Sequence, residues 1–362
     1  MPKAIKMQHI EGGKPGKVYY PLSLVDVPTP SPGPNDLVVE IHAAALNHRD
    51  FFLRQHLYPA PSFDVPLLAD GYGVVTSVGS SASKSWIGKK VILVPGRGWK
   101  DDPRGPESPT GYAVLGGTKS FPLGTLQEVL CVHEDEVEEA PNHLTPAEAA
   151  ALPLTGLTGW RALMTKSGNA EKGNNILLTG IGGGVALNVL QFAVALGANA
   201  YVTSGSQDKL DKAKTMGAKG GVSYKDEAWE KELKKQLPKD RPYLDAIIDG
   251  AGGNIIAKAT RLLKPGGVVV QYGMTVAPKM DWTMNAVLLN LELRGTTMGS
   301  RKEFRDMVAF VNEHDIKPIV SRTVKGIDNL KDIDALFDEI KIGSQFGKLV
   351  IELGDDGTSS KL

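Results

Sequence analysis

The 362-residue chain has one cysteine, Cys131, so it can close no internal disulfide and offers no thiol pair to a metal. A reducing compartment is the expectation, with Cys131 a small buried hydrophobe in the strand-like run 126–132. Net charge is absent as well, since lysine plus arginine and aspartate plus glutamate each number 41. That balance argues against a nucleic-acid surface, a basic membrane helix and an acidic tail. No stretch approaches the ~20 apolar residues of a membrane span. The nearest, around residues 147–157, is broken by Glu148, Pro153 and Gly156. Residues 1–10 lack the apolar core of a signal peptide. The expectation is a soluble protein with a small-molecule substrate, no nucleic-acid or membrane partner, and room for a homodimer.

What is present is glycine (41 residues) and proline (23), distributed unevenly. The length suits two domains. The first ~145 residues read as β-rich, with strands at 37–42, 73–78, 90–94 and 128–132 between glycine and proline turns. Pro28-Thr-Pro-Ser-Pro-Gly-Pro34 is an extended connector, and residues 96–122 read as a long surface loop. Thr145-Pro-Ala-Glu148 has the cap, the first-turn proline and the acid of a helix start. Apolar strands then alternate with helices: strand 176–179, helix 185–196, strand 200–203, helix 207–216 and strand 221–223. Helix 228–236, strand 245–248, helix 255–263 and strand 268–272 follow. A helix at 302–313 and a strand at 348–352 end the pattern. Such alternation predicts an α/β fold whose parallel sheet is covered on both faces.

The most informative segment is Ile176-Leu-Leu-Thr-Gly-Ile-Gly-Gly-Gly-Val-Ala186. A buried strand runs into Gly180, Gly182, Gly183 and Gly184 and then, from Val185, into an apolar helix. Glycines allow the tight turn and the close approach of a pyrophosphate, whose charge suits a helix N-terminus. Within a run of βαβ units this is a dinucleotide site rather than a mere tight turn. The second strand ends Thr203-Ser-Gly-Ser-Gln207, without the acid that holds the ribose hydroxyls of NAD. Ser204, Ser206 and Lys209 suit a 2′-phosphate instead, making NADPH the expected cofactor. Lys209 reads equally well as a solvated helix lysine.

Five motifs together resemble the medium-chain dehydrogenase/reductase superfamily, in its zinc-free, quinone-oxidoreductase-like branch. They are Ala44-Ala-Leu-Asn-His-Arg-Asp50, Asp70-Gly-Tyr-Gly-Val-Val-Thr-Ser-Val-Gly79, Leu154-Thr-Gly-Leu-Thr-Gly-Trp160, the glycine loop and Phe346-Gly-Lys348. The resemblance implies a GroES-like β-rich catalytic domain over 1–147, completed by 300–362. It implies a Rossmann doubly wound parallel sheet over 148–299, with the active site in the cleft. The catalytic zinc-ligand positions of the alcohol dehydrogenases fall on Asn47, Ala69 and Leu154, and no cysteine stands in 96–122, so no metal is expected. Arg49 stands where zinc relatives keep a proton-relay hydroxyl.

The resemblance further places Asn47 and Asp50 at the nicotinamide end of the cleft and Tyr58 over the substrate pocket. It matches Thr158 to the nicotinamide, Tyr224 to the 2′-phosphate, and Gly250, Tyr272, Gly273 and Lys348 to cofactor-lining positions. Each has a plainer reading: Asp50 as an ion-pair partner of Arg49 or Arg54, Tyr58 as packing, His48 as structural. The expected activity is zinc-independent, NADPH-dependent reduction of quinones or of activated C=C bonds in α,β-unsaturated carbonyls. The alternatives are an enoyl-thioester reductase and a catalytically idle NADPH-binding sensor. The ending Ser360-Lys-Leu362 reads as an address for the peroxisomal import receptor, with the cytoplasm as the alternative location.

Overall fold

A computed structural model describes residues 1–276 and 279–354, and the Ser360-Lys-Leu362 ending lies outside the described residues. The chain divides into two units, Met1–Leu154 with Ser300–Leu362, and Thr155–Gly299. The first unit extends past the expected residue 147 because the next helix packs on that unit's own sheet. This is the helix introduced at Thr145, whose side chain accepts from Glu148 N while the Glu148 carboxylate takes Thr145 N–H at 2.8 Å.

The chain opens with an antiparallel ribbon of β1 (Lys3–Met7) and β2 (Leu22–Asp26), then β3 (Asp36–Ala45) and helix α1 (His48–Arg54). Strands β4 (Asp70–Val78) and β5 (Lys90–Leu93) follow, with the short pair β6 (Gly96–Arg97) and β7 (Ala113–Val114). Next come β8 (Val129–His133), β9 (Val137–Glu139), α2 (Pro146–Ala151) and α3 (Pro153–Trp160).

The second unit alternates β10 (Asn175–Leu178), α4 (Gly184–Ala195), β11 (Asn199–Ser204), α5 (Gln207–Thr215) and β12 (Gly220–Ser223). It continues through α6 (Trp229–Gln236), β13 (Leu244–Asp249), α7 (Ile255–Leu262), β14 (Leu263–Gln271), α8 (Met284–Leu288) and β15 (Glu292–Gly295). The return to the first unit brings α9 (Arg301–Glu313), β16 (Val320–Lys325), α10 (Leu330–Ile342) and β17 (Lys348–Glu352).

The first unit's main sheet runs β16-β17-β3-β4-β5-β9, with β8 also on β3. The C-terminal strand thus lies beside β3, antiparallel to it, pairing Val350 with Ala45. Strand β4 starts at Asp70, ahead of the expected 73, because Asp70, Gly71 and Tyr72 pair with Ala45, Ala44 and Ala43. Leu37, Val39, Ile41, Val75, Val91, Leu93 and Leu130 form one core cluster of this unit. The expected surface loop 96–122 departs from that reading. Residues 114–118 are buried, held by the β6–β7 pair and by Thr118 Oγ1 donating to Val114 O at 3.1 Å.

The second unit is a six-stranded parallel sheet in the order β12-β11-β10-β13-β14-β15. Strands β10 and β13 are buried along their whole length, hence their near-continuous apolar sequence. Strand order reverses between β10 and β13, and ligands of open α/β sheets bind beyond the carboxyl ends of the strands at such a point. No helix among the described residues is long and apolar enough to cross a membrane.

Candidate functional site

At the C-terminal end of β3 the chain turns through Asn47, the N-cap of α1. Asn47 N–H donates to Asp50 Oδ2 at 2.8 Å, while Asp50 Oδ1 accepts from Arg49 Nη1 at 3.0 Å. Arg49 Nη2 also reaches Gly116 O at 2.9 Å. Asp50 is fully buried; desolvation pushes its carboxyl up to about 6, against the lowering effect of Arg49. Both Asp50 oxygens are therefore engaged with the helix start and Arg49, the ion-pair reading of the two weighed for it. Arg54 is elsewhere, on Tyr20 O and Asp334. His48 packs edge-on against Phe51 and Phe52, and burial lowers its pKa.

The Asn47 carboxamide donates through Nδ2 to Asp70 Oδ2 at 2.9 Å and accepts from Lys348 Nζ at 2.6 Å. Lys348, expected from the resemblance to line the cofactor, has its ammonium inside this cluster, 2.8 Å from Asp70 Oδ2. Tyr58 is half-buried beneath Arg49, whose Cζ sits 4.7 Å from the ring centroid. The Tyr58 hydroxyl makes no hydrogen bond among the described residues, which leaves it open to a substrate. Tyr112 escaped the sequence reading because its segment looked like a surface loop. Its ring lies against Gly96, where a Cβ would come within 2.2 Å of Cζ, and burial pushes its phenol well above the usual range.

In the second unit, β10 ends in Gly180 at φ 67° and Gly182 at φ 128°, both in the region closed to most side chains. Gly183 N-caps α4, and Gly180 N–H donates to Thr203 Oγ1 at 3.1 Å. A Cβ at Gly180 would meet no protein atom within 4 Å, so the space over the loop is not filled by the fold. Gly184 and Val185 form the first turn of α4, whose N–H groups lack intrahelical partners. This cradle fits a dinucleotide pyrophosphate. Thr158 is buried on α3.

At the end of β11, Ser204 Oγ accepts from Ser206 N–H at 3.1 Å and Ser204 O from Tyr224 N–H at 3.0 Å. The Tyr224 ring and the Lys225 stem both lie over Gly205, where a Cβ would be 2.6 Å from Tyr224 Oη and 3.1 Å from Lys225 Cε. Lys225 joins this corner only through folding, being 21 residues beyond Ser204 in a different turn. Lys209 is half-buried, and desolvation lowers its pKa. The nearest acid, Asp208, is bound to Lys212 at 2.8 Å.

At the end of β13, the fully buried Asp249 accepts from Thr179 Oγ1, from Gly252 N–H at 2.7 Å and from Gln271 Nε2 at 2.7 Å. These bonds tie the ends of β10, β13 and β14 together. Gly250 lies under the Tyr272 ring, 2.4 Å from Cζ for an added Cβ, and Gly273 O accepts from Gln271. The glycine loop, the Ser204–Tyr224 corner and Gly250, Tyr272 and Gly273 thus share the carboxyl-end edge of one sheet. Asp249 was legible only as an acid closing an apolar strand.

Among the described residues no group of three or more His, Cys, Asp or Glu could hold a metal ion. The side chains at 69 and 154 are Ala and Leu, without lone pairs, and Asn47 is engaged; these residues do not fit zinc.

Residues 33–142 match the family model described as an alcohol dehydrogenase GroES-like domain, and residues 184–313 that of a zinc-binding dehydrogenase. A GroES-like unit and a dinucleotide-binding parallel sheet in one chain define an oxidoreductase. The chain belongs to the medium-chain dehydrogenase/reductase superfamily. It is 57% identical, over 94% of its length and 97% of the relative's, to the zinc-type alcohol dehydrogenase-like protein YogA of Leptosphaeria maculans. It is 27% identical to an acryloyl-coenzyme A reductase of Sulfurisphaera tokodaii over 91% of this chain and 96% of that one. The crystal structure of an NAD-dependent alcohol dehydrogenase matches with a TM-score of 0.84 at 28% identity, covering 98% and 100% of the two chains.

Proposed function

We propose that this oxidoreductase uses NADPH, without zinc, to reduce the activated C=C bond of α,β-unsaturated carbonyl compounds, quinones being further acceptors. The observation that carries the reading is the replacement of a metal site by Asn47, Ala69 and Leu154, with Asn47 tied to Asp70 and Lys348. Without a Lewis acid, alcohol oxidation loses its main aid. A conjugated acceptor takes hydride at its β carbon and a proton at its α carbon, needing from the protein, besides a bound hydride donor, only a hydrogen-bond donor to its oxygen and an acid.

The cofactor, when bound, supplies the hydride. Gly180, Gly182, Gly183 and Gly184 would hold its pyrophosphate, and Ser204, Ser206, Tyr224 and Lys225 would hold its 2′-phosphate. Tyr58, with its free hydroxyl, delivers the proton. Within this reading the similarity to an acryloyl-coenzyme A reductase favours unsaturated thioesters as one acceptor class. The exposed edge strand β15 supports a homodimer.

The test is NADPH oxidation over a panel of enones, quinones and enoyl-CoA thioesters. Turnover of the conjugated carbonyls supports the proposal. Alcohol oxidation alone overturns it, and tight NADPH binding without turnover leaves a sensor protein.

A further inference from the structure

The Asn47 carboxamide is gripped by two groups that together admit one orientation. Asp70 Oδ2 only accepts, and takes the Nδ2–H at 2.9 Å; Lys348 Nζ only donates, and gives to Oδ1 at 2.6 Å. Lys348 closes the ring through its 2.8 Å bond to Asp70 Oδ2. Asp70 is itself anchored: Oδ1 accepts Leu154 N–H at 2.8 Å, and its carbonyl accepts Thr125 Oγ1 at 2.7 Å. Asn47, Asp70 and Lys348 are 5%, 0% and 4% exposed, so a reversed amide would set donor against donor and acceptor against acceptor away from water.

One valence of the ring is unspent. An asparagine amide has two N–H donors, and among the described residues only one of Asn47's is used. This residue occupies a position that holds a ligand in the zinc enzymes the chain resembles. The cation beside it is now an ammonium, and the group free to act is a neutral N–H.

We propose that Lys348 and Asp70 are positioning residues that lock Asn47 so its second N–H donates to the acceptor's carbonyl oxygen, supplying by hydrogen bond the polarisation a metal would provide. The inference rests on the reductase reading above. As hydride adds to the β carbon, the C=C pair shifts and negative charge builds on the carbonyl oxygen, where this donor meets it. The proton then goes to the α carbon, and one hydride plus one proton account for the saturated product. A donor aimed at charge that develops during the reaction acts on turnover more than on binding.

The experiment uses the full-length protein, NADPH and 3-penten-2-one. Asn47→Asp, which has no N–H, should lower kcat by roughly 10²-fold, the loss typical of removing one such donor. Lys348→Met keeps the stem but frees the amide to turn; Lys348→Met/Asp70→Asn does so without leaving an unpaired buried carboxylate. Both should lose kcat at least ~10-fold with KM and the NADPH dissociation constant held within about twofold. Side-chain amide NMR of Asn47, assigned against Asn47→Ala, reads the clamp without any turnover. The wild type should show two slowly exchanging N–H signals, and the double variant should lose that slow exchange.

Unchanged kcat in a folded double variant overturns the proposal. So does a kcat loss matched by an equal loss of NADPH affinity, which would make Lys348 a cofactor contact. A wild type inactive on every conjugated acceptor defeats the reductase reading. The NMR separates the two failures, because amide signals unchanged in the double variant defeat the clamp itself.

Discussion

Tyr58 shows how much at the residue scale depends on what a side chain is not bonded to. Its ring is held by packing and by Arg49 above it, while its hydroxyl has no hydrogen-bond partner among the described residues. Tyr58→Phe keeps the ring and deletes only the hydroxyl. Steady-state kinetics should show turnover of enones reduced by roughly 10²-fold with NADPH affinity intact. Quinone reduction, which needs no proton placed on carbon, should fall less. Equal rates for wild type and variant on every acceptor would remove the phenol from the mechanism. Lys348 carries the opposite lesson. Nothing in the local sequence Phe346-Gly-Lys348 announces an ammonium buried beside Asp70, 278 residues away. Such pairings are made by topology, which brings β17 onto β3, and are not readable in a window.

At the scale of elements, the second unit was legible strand by strand as far as β14, because strands buried on both faces read as near-continuous apolar runs; the exposed edge strand β15 was not. Helix α10 carries an equally plain signal: Ile333, Leu336, Phe337 and Ile340 repeat at helical spacing behind Asn329, whose side chain accepts from Asp332 N–H. The ribbon β1–β2 and strand β16 were less so, since short, half-exposed strands carry a weak alternation. The end of β11 is where the proposed preference for NADPH is to be tested. With Ser204, Ser206, Tyr224 and Lys225 at one corner, no acid in 203–207 and Asp208 paired with Lys212, calorimetry should find NADPH bound at least ~10-fold tighter than NADH, about 1.4 kcal/mol. Equal constants would show the corner indifferent to the phosphate.

The segment between β6 and β7 invites a pH test. Glu107 accepts the N–H groups of Asp101 at 2.7 Å, Asp102 at 2.6 Å and Lys100 at 2.6 Å, bonds that hold its pKa down at about 2. A carboxylate lowered by the fold stabilises it above its ordinary pKa, near 4.5, and that contribution disappears as pH falls from there toward 2. Acid-stable protease nicking of this segment should therefore rise between pH 4.5 and 2 in the wild type. In Glu107→Gln it should already be raised at neutral pH and change little on acidification; a parallel response in both would exclude Glu107 as the clasp.

For the whole molecule, metal analysis of the purified protein should find well under one zinc per chain, with chelators leaving activity unchanged; stoichiometric zinc would overturn the zinc-free reading. The oligomeric state is open to a similar check. Strand β15 ends its sheet, and Met284, Val287 and Leu288 beside it are 67%, 50% and 68% exposed. Antiparallel pairing of two copies about Leu293 would set Glu292 of each opposite Arg294 of the other, bringing opposite charges together while covering that apolar patch. Light scattering should give twice the chain mass, and Leu293→Lys should shift it toward the monomer. A monomeric wild type would rule the pairing out.

The insertion of residues 155–299 between two parts of the first unit has a consequence for how the chain is made. Strand β3 waits for β17, and Asn47 and Asp70 for Lys348, so a growing chain holds an open β edge and an unneutralised carboxylate until the whole of residues 155–299 and then β17 have been made. The second unit's sheet, contiguous in sequence, can close as soon as it leaves the ribosome. Order of assembly is thus written into the connectivity: the parallel-sheet unit can mature first, and the first unit is completed after it, by the strand that delivers its internal cation.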